Sequence, residues 1–151
     1  MENGKIILFK LKNVRYVTSI ILLIFLCKIV TTSFANAADR YWVADNDGTD
    51  KFWHDNANWS KTSGGSGGWS APTRTGDKAF FDNGSTVDVK LGANVTKINQ
   101  LRVTGTYTGT INLNGYKLGS KNNLVIYNGT ILLPGNSFLQ TWKDFYLYAG
   151  G

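Results

Sequence analysis

Cysteine is almost missing from this chain. The one cysteine in 151 residues, Cys27, lies in an apolar stretch near the N-terminus. No disulfide can therefore staple the fold. Histidine occurs once, as His54, and proline twice, as Pro72 and Pro134. A lone imidazole without cysteine partners gives no basis for a zinc set. A Ser-His-Asp arrangement would have to use His54, and its setting Trp53-His54-Asp55-Asn56 carries no nucleophile motif. Aspartates are scattered, and no pair stands out for glycoside hydrolysis. Helical periodicity is also lacking: beyond Ala38 no useful length repeats apolar residues every 3.6 positions. We therefore assign no catalytic residue.

Charge of one sign is scarce once the N-terminus is set aside. Lys5, Lys10, Lys12 and Arg15 precede an uncharged run from Val17 to Leu26, and small residues follow at Ala35-Asn36-Ala37. Basic, apolar, then small is the pattern of a secretory signal peptide, with Ala35 and Ala37 at the −3 and −1 positions of the cut. The competing reading is a retained membrane anchor. A spanning helix needs about 20 predominantly apolar residues, and Lys28 interrupts the run first. Residues 1–37 hold five of the sixteen basic residues and one of the ten acidic ones, which leaves the remaining 114 residues at +2. Those charges are interspersed and form no basic face, so nucleic acid is not an expected partner. The expected location is secreted or at the cell surface.

Glycine, asparagine, threonine and aromatic residues are abundant. Sixteen glycines fall in the 114 residues after Ala37, about twice the ordinary share of roughly 7%. With Thr, Val, Ile and Tyr between Gly/Asn punctuation, this is the composition of an all-β protein. Tyr41-Trp42-Val43 and Lys78-Ala79-Phe80-Phe81 read as strands, the latter running into the turn signal Asn83-Gly84. Ser63-Gly64-Gly65-Ser66-Gly67-Gly68 reads as a flexible loop. Val87, Val89 and Leu91 alternate with Asp88 and Lys90, as in a half-buried strand. Ile98, Leu101 and Val103 give a second apolar stretch.

One frame occurs twice. Gly109-Thr110-Ile111-Asn112-Leu113-Asn114-Gly115 realigns with Gly129-Thr130-Ile131-Leu132-Leu133-Pro134-Gly135, a G-T-I-x-L-x-G pattern 20 residues apart. Short strands repeated at that period, with glycine corners, are what a solenoid coil requires, because one coil cannot bury its own inner face. Two similar hairpins of a β-sandwich are the alternative. The solenoid reading predicts Ile111 against Ile131 in parallel pairing, with Leu113 and Leu133 sharing the inner stack. Trp142 to Tyr148 would open a further coil. The expected fold is all-β: an aromatic-rich β cap over residues 38–84, leading into a parallel β-helix over residues 85–151, after an N-terminal signal helix. The apolar run that stops at Tyr148-Ala149-Gly150-Gly151 suggests a piece of a longer protein.

Residues 40 to 82 carry a distinctive order: Tyr41-Trp42-Val43, then Trp53 and Trp59-Ser60 in W-x5-W-S spacing, a Gly/Ser stretch, Pro72, Asp77, and Phe81-Asp82. This resembles the N-terminal module of bacterial surface and autotransporter-like proteins, which implies a cap that introduces a long β-solenoid. The chain departs from that frame by an insertion, Asp45 to Lys51. A fainter similarity, through Trp59, Pro72, Gly76-Asp77, Val87-Asp88-Val89 and Leu101-Arg102-Val103-Thr104-Gly105, is to the G8 module of some extracellular proteins.

Two groups of residues are candidates for binding. Trp42, Trp53, Trp59 and Trp69 are close in sequence, and aromatic faces stack on sugar rings. Buried indoles filling a core are the competing reading, favoured for the first three, and Trp69 after the glycine loop is the best placed for exposure. Trp69 with Trp53 is the candidate carbohydrate-binding pair. Asp45, Asp47 and Asp50 are the candidate metal ligands, for Ca²⁺, which takes six to eight oxygens. The loop fails the EF-hand frame: with Gly48 as the sixth position, Val43 falls first and His54 twelfth. A solvated turn is the simpler reading.

The resulting expectation is a secreted or cell-surface structural or adhesion module without catalysis, its partner an extracellular glycan or a host or cell-surface ligand. A carbohydrate-binding module, or the start of a β-helical glycan-degrading enzyme, are the alternatives. The cleavage site is directly testable. Signal peptidase requires small side chains at −3 and −1, so Ala35→Leu with Ala37→Leu is expected to leave the chain unprocessed and membrane-attached. N-terminal sequencing that still finds Ala38 first in the double variant would refute the site.

Overall fold

The computed structural model describes residues 37–148. The segment read as a signal peptide, with Ala35, lies outside the described residues, and Ala37 is the first of them. The described residues belong to one compact unit, Asn36–Gly151. They contain no α-helix: the elements are β1 (Asp39–Trp42), a 3-10 turn (Asn56–Asn58), β2 (Trp59–Ser60), β3 (Lys78–Phe81), β4 (Val89–Lys90), β5 (Val95–Ile98), β6 (Gln100–Val103), β7 (Thr110–Asn112), β8 (Lys117–Ser120), β9 (Leu124–Ile126), β10 (Thr130–Leu132), β11 (Phe138–Thr141) and β12 (Phe145–Leu147).

From β4 onward the strands form three coils of a parallel β-solenoid. Each coil contributes one strand to each of three sheets: β4-β7-β10, β5-β8-β11 and β6-β9-β12 are consecutive neighbours. Ile111 is in register with Val89 on one side and Ile131 on the other, in parallel, as the G-T-I-x-L frame predicts. The apolar positions of the first two coils, among them Val89, Leu91, Ile98, Leu101, Ile111, Leu113, Leu118 and Leu124, are fully buried. They alternate with outward polar residues, so strand periodicity and coil stacking cooperate to fill one interior.

Three details differ from the sequence reading. Trp142 to Tyr148 does not open another coil; Phe145, Tyr146 and Leu147 pair with Leu124, Val125 and Ile126 and complete the third. The repeat frame marks only one of three strands per coil, so the count of coils could not be read from it. Leu133 does not share the buried stack of Leu113: it is 49% exposed against 0%. Among the described residues nothing stacks on the third coil. The Gly/Ser loop is also not free. Gly68 N–H donates to Asn56 O at 3.0 Å and Trp69 N–H to Trp59 O at 3.1 Å. Gly67 is pressed so close to Ala57 O that a Cβ there could not fit.

The aromatic segment is continuous with the solenoid. β3 pairs in parallel with β1 on one side and with β6 on the other. The change at residue 84/85 is therefore one of composition, while the sheet β2-β1-β3-β6-β9-β12 runs through it. β2 turns back antiparallel on β1 and ends the parallel progression. Below it, Trp42, Trp53, Trp59, Phe81 and Tyr107 are each 0% exposed. Phe81 is the hub, with ring centroids 5.7, 5.6, 5.6 and 5.1 Å from the other four in that order.

Two repeat glycines have separate reasons. At Gly109 a Cβ would lie 2.4 Å from Thr86 O and 2.6 Å from the Tyr107 hydroxyl, so no larger residue fits beneath the aromatic group. At Gly115 the backbone follows Asn114 into the left-handed region, with φ of 83° and 50° respectively, to turn the corner.

The stack makes a graded prediction. Ile111 is fully buried between two coils, and Ile→Ala at such a site typically costs about 2–5 kcal/mol. Ile131, partly buried, should cost clearly less. Urea unfolding of the two variants measures this, and equal losses would refute the difference in burial between the two positions.

Candidate functional site

The loop Asp45 to Lys51 gives this surface its relief. It is anchored at its far end, where Lys90 N–H donates to Lys51 O and Trp53 N–H to Lys90 O, both at 2.8 Å. Phe52 thereby forms a parallel bridge with Lys90 and extends the β4 sheet by one position. Within the loop Asp47 accepts from Thr49 N–H at 3.0 Å and from the Thr49 hydroxyl at 2.6 Å. Its other oxygen takes Lys51 Nζ at 2.6 Å. These donors hold the Asp47 carboxyl well below the usual carboxylate range, with Lys51 the largest influence. Asp50 pairs with Lys90 Nζ, also at 2.6 Å, tying the loop to β4 a second time.

Two polar clefts flank the loop so held. One, of about 560 Å³, lies between the loop and β4 and is lined by Asn46, Gly48, Thr49, Asp50, Lys51, Thr86, Val87, Asp88 and Lys90. The other, of about 470 Å³, lies on the opposite side against Gly65, Ser66 and Gly67, with Asp45, Asp47 and Asp55 on its wall.

This arrangement divides the expected metal ligands. Asp45 and Asp47 border one cleft and Asp50 the other, and lysines occupy two of the three carboxylates. Among the described residues no group of three or more His, Cys, Asp or Glu side chains could hold a metal ion. Asp45, Asp47 and Asp50, read as candidate Ca²⁺ ligands, therefore do not converge on one position, and Asp47 and Asp50 are each paired with a lysine.

The carbohydrate pair is also divided. Trp53 is fully buried, its indole N–H donating to Pro72 O at 3.0 Å. It belongs to the core and presents no face to a sugar, which removes it from the binding pair. Trp42 and Trp59 are equally buried, with indole donors satisfied by Val87 O at 2.9 Å and Trp53 O at 2.6 Å. Trp69 is 41% exposed, but Lys61 Nζ sits 3.6 Å over its ring and takes one face in a cation–π contact. His54 is on the surface, its pKa lowered by partial desolvation. No nucleophile motif accompanies it.

Sequence reasoning missed Lys51 and Lys90 as the ion-pair partners of the loop carboxylates, and Thr86 and Asp88 as residues that line the cleft beside it. The alternation Val87-Asp88-Val89-Lys90-Leu91 already puts Asp88 and Lys90 on the outer face. What it could not reveal is that Phe52, 38 positions earlier, pairs beside Lys90. The chain matches no protein-family model, no curated protein and no solved structure.

The two groups of candidate residues should respond oppositely to truncation. Trp59→Ala removes a buried ring with a satisfied donor, a loss of about 3–5 kcal/mol out of the ~5–15 kcal/mol typical of a domain. Asp47→Ala removes an exposed carboxylate from an ion pair and should leave the melting temperature nearly unchanged. Melting curves of both variants decide, and an Asp47→Ala domain that unfolds like Trp59→Ala would overturn the ranking.

Proposed function

We propose that this chain is a secreted or cell-surface structural module of the adhesive kind, without catalysis of its own, in which an aromatic cap starts a parallel β-solenoid. The observation that carries the reading is the way the first coil is closed. At one end β2 and the buried rings of Trp42, Trp53, Trp59, Phe81 and Tyr107 cover the first coil. At the other, β10, β11 and β12 each have a strand neighbour on one side only among the described residues. Leu133, Phe145 and Leu147, which continue inward columns of the core, are 49%, 52% and 69% exposed there.

An uncovered strand edge is a template for further pairing, and exposed contiguous apolar surface marks an interaction site. The occupant that fits is another parallel coil, since it repeats the interface already present twice. The leader pattern supplies the extracellular placement of this reading. The resemblance to surface-protein cap modules points the same way.

The test is self-association of the unit Asn36–Gly151. The unit should associate through its bare edge with rising concentration in sedimentation velocity. Leu133→Lys with Leu147→Lys should return it to a monomer while shifting the melting temperature little, because both side chains are already largely in solvent. A monomer at every concentration, or association indifferent to the two lysines, would refute the stacking role.

A further inference from the structure

The cleft between the insertion and β4 has a composition that suits one chemical class of ligand. Its charged side chains are two carboxylates, Asp50 and Asp88, and two ammonium groups, Lys51 and Lys90. The balance disfavours a polyanion such as nucleic acid or phosphate, which needs a surplus of cations. Its only large apolar side chain is Val87, so an apolar ligand would find little to bury against. The rest is amide, hydroxyl and backbone: Asn46, Thr49, Thr86 and Gly48. Such a lining offers acceptors and donors side by side, and a ligand hydroxyl uses both at once.

The site is also held in place before any ligand arrives. Asp47 closes the loop on itself through Thr49 and Lys51. The Lys90–Asp50 pair and the Phe52–Lys90 bridge fasten it to β4. Asp88 is oriented from behind by the Thr110 N–H, 2.7 Å from its Oδ1, which leaves its second oxygen uncommitted among the described residues. Lys51 has a side chain only 13% exposed, so its position is set by packing. A volume of about 560 Å³ lies within the range of small-molecule sites.

We infer that this cleft binds an uncharged saccharide of one or two pyranose units, with Asp50 and Asp88 accepting from ligand hydroxyls and Lys90 and Asn46 donating to them. The inference goes beyond the structural role and does not depend on it. The cleft borders β4, at the capped side of its sheet, whereas stacking uses β10 at the other. A unit that fails to associate can still bind sugar, and the converse holds.

The experiment is a titration of isotope-labelled Asn36–Gly151 with glucose, galactose, mannose, N-acetylglucosamine and their disaccharides, and with sialylated and sulfated glycans, followed by amide chemical shifts. Shifts should be confined to 46–51 and 86–90 for at least one uncharged sugar. Asp50→Asn and Asp88→Asn keep an acceptor of the same shape but lose the charge assistance, and each should raise Kd by about tenfold or more. Asp45→Asn, which borders the other cleft, should leave Kd unchanged. Absence of shifts with every sugar would overturn the inference. So would binding restricted to sialylated or sulfated glycans, or shifts centred on Lys61 and Trp69.

Discussion

A β-coil has an inside that it cannot cover alone, and the structure depends on how its first coil solves that problem. Phe81 is the pivot. It stands in β3, directly in register with Val103 of the first coil, so it belongs to the solenoid's inner column. It is also the ring against which Trp42, Trp53, Trp59 and Tyr107 all pack. One side chain thus joins a cap of irregular chain to a regular stack. Burying rings of this size removes a large apolar area from water with few rotatable bonds to fix. That is an efficient way to close a stack in a domain without disulfides.

Burial on that scale works only if the polar ends of the rings are satisfied. Val87 O receives both the Trp42 indole N–H, at 2.9 Å, and the Tyr107 hydroxyl, at 3.0 Å, using its two lone pairs. Burial and the nearby Asp88 charge push the Tyr107 phenol up, so it remains a neutral donor throughout the physiological range. The corners follow the same logic along the stack. Asn122 N–H donates to Asn99 O and its side-chain amide to Asn99 Oδ1, while Asn128 Nδ2 reaches Gly105 O and Asn114 Nδ2 reaches Leu91 O. Each link joins one coil to the next. The abundance of asparagine is therefore structural: at a corner, its side chain supplies the hydrogen bonds that the strand ladder no longer can. No buried side-chain nitrogen or oxygen is left without a partner among the described residues.

The period of the solenoid was legible because coil-to-coil register imposes itself on sequence. Ile131 over Ile111 repeats the same residue at the same phase, with a glycine at each corner, although Val89 beneath Ile111 shows that the column takes other apolar residues too. The other two sheets carried no such repeat. Their inward columns accept any apolar residue of suitable volume, as in Val95-Leu118-Leu139 or Leu101-Leu124-Phe145. Spacing there also varies between 21 and 23 residues, since corner length is free once the strands are aligned. The cap was legible in kind, from its density of aromatic residues, and the expected burial of Trp42, Trp53 and Trp59 beside an exposed Trp69 is what the structure shows. Only the pairing of Trp53 with Trp69 at a sugar site failed, because the Trp53 indole N–H is taken by Pro72 O, 19 positions later, and that is a long-range fact.

The same distinction governs the insertion. A loop rich in Asp, Asn and Gly invites a cation-binding reading because local sequence shows only its own oxygens. The groups that neutralise those oxygens come from its end and from far away: Lys51 at the foot of the loop, and Lys90 on β4, 40 residues beyond its partner Asp50. Once the lysines are counted, two of the loop's three carboxylates are paired and the loop is a braced wall. Bracing of this kind contributes little to stability, as exposed ion pairs do, yet it lowers the cost of ordering the wall when something binds against it. The segment adds nothing to the core. It is nonetheless tied down by its ion pairs and by its backbone bonds to β4.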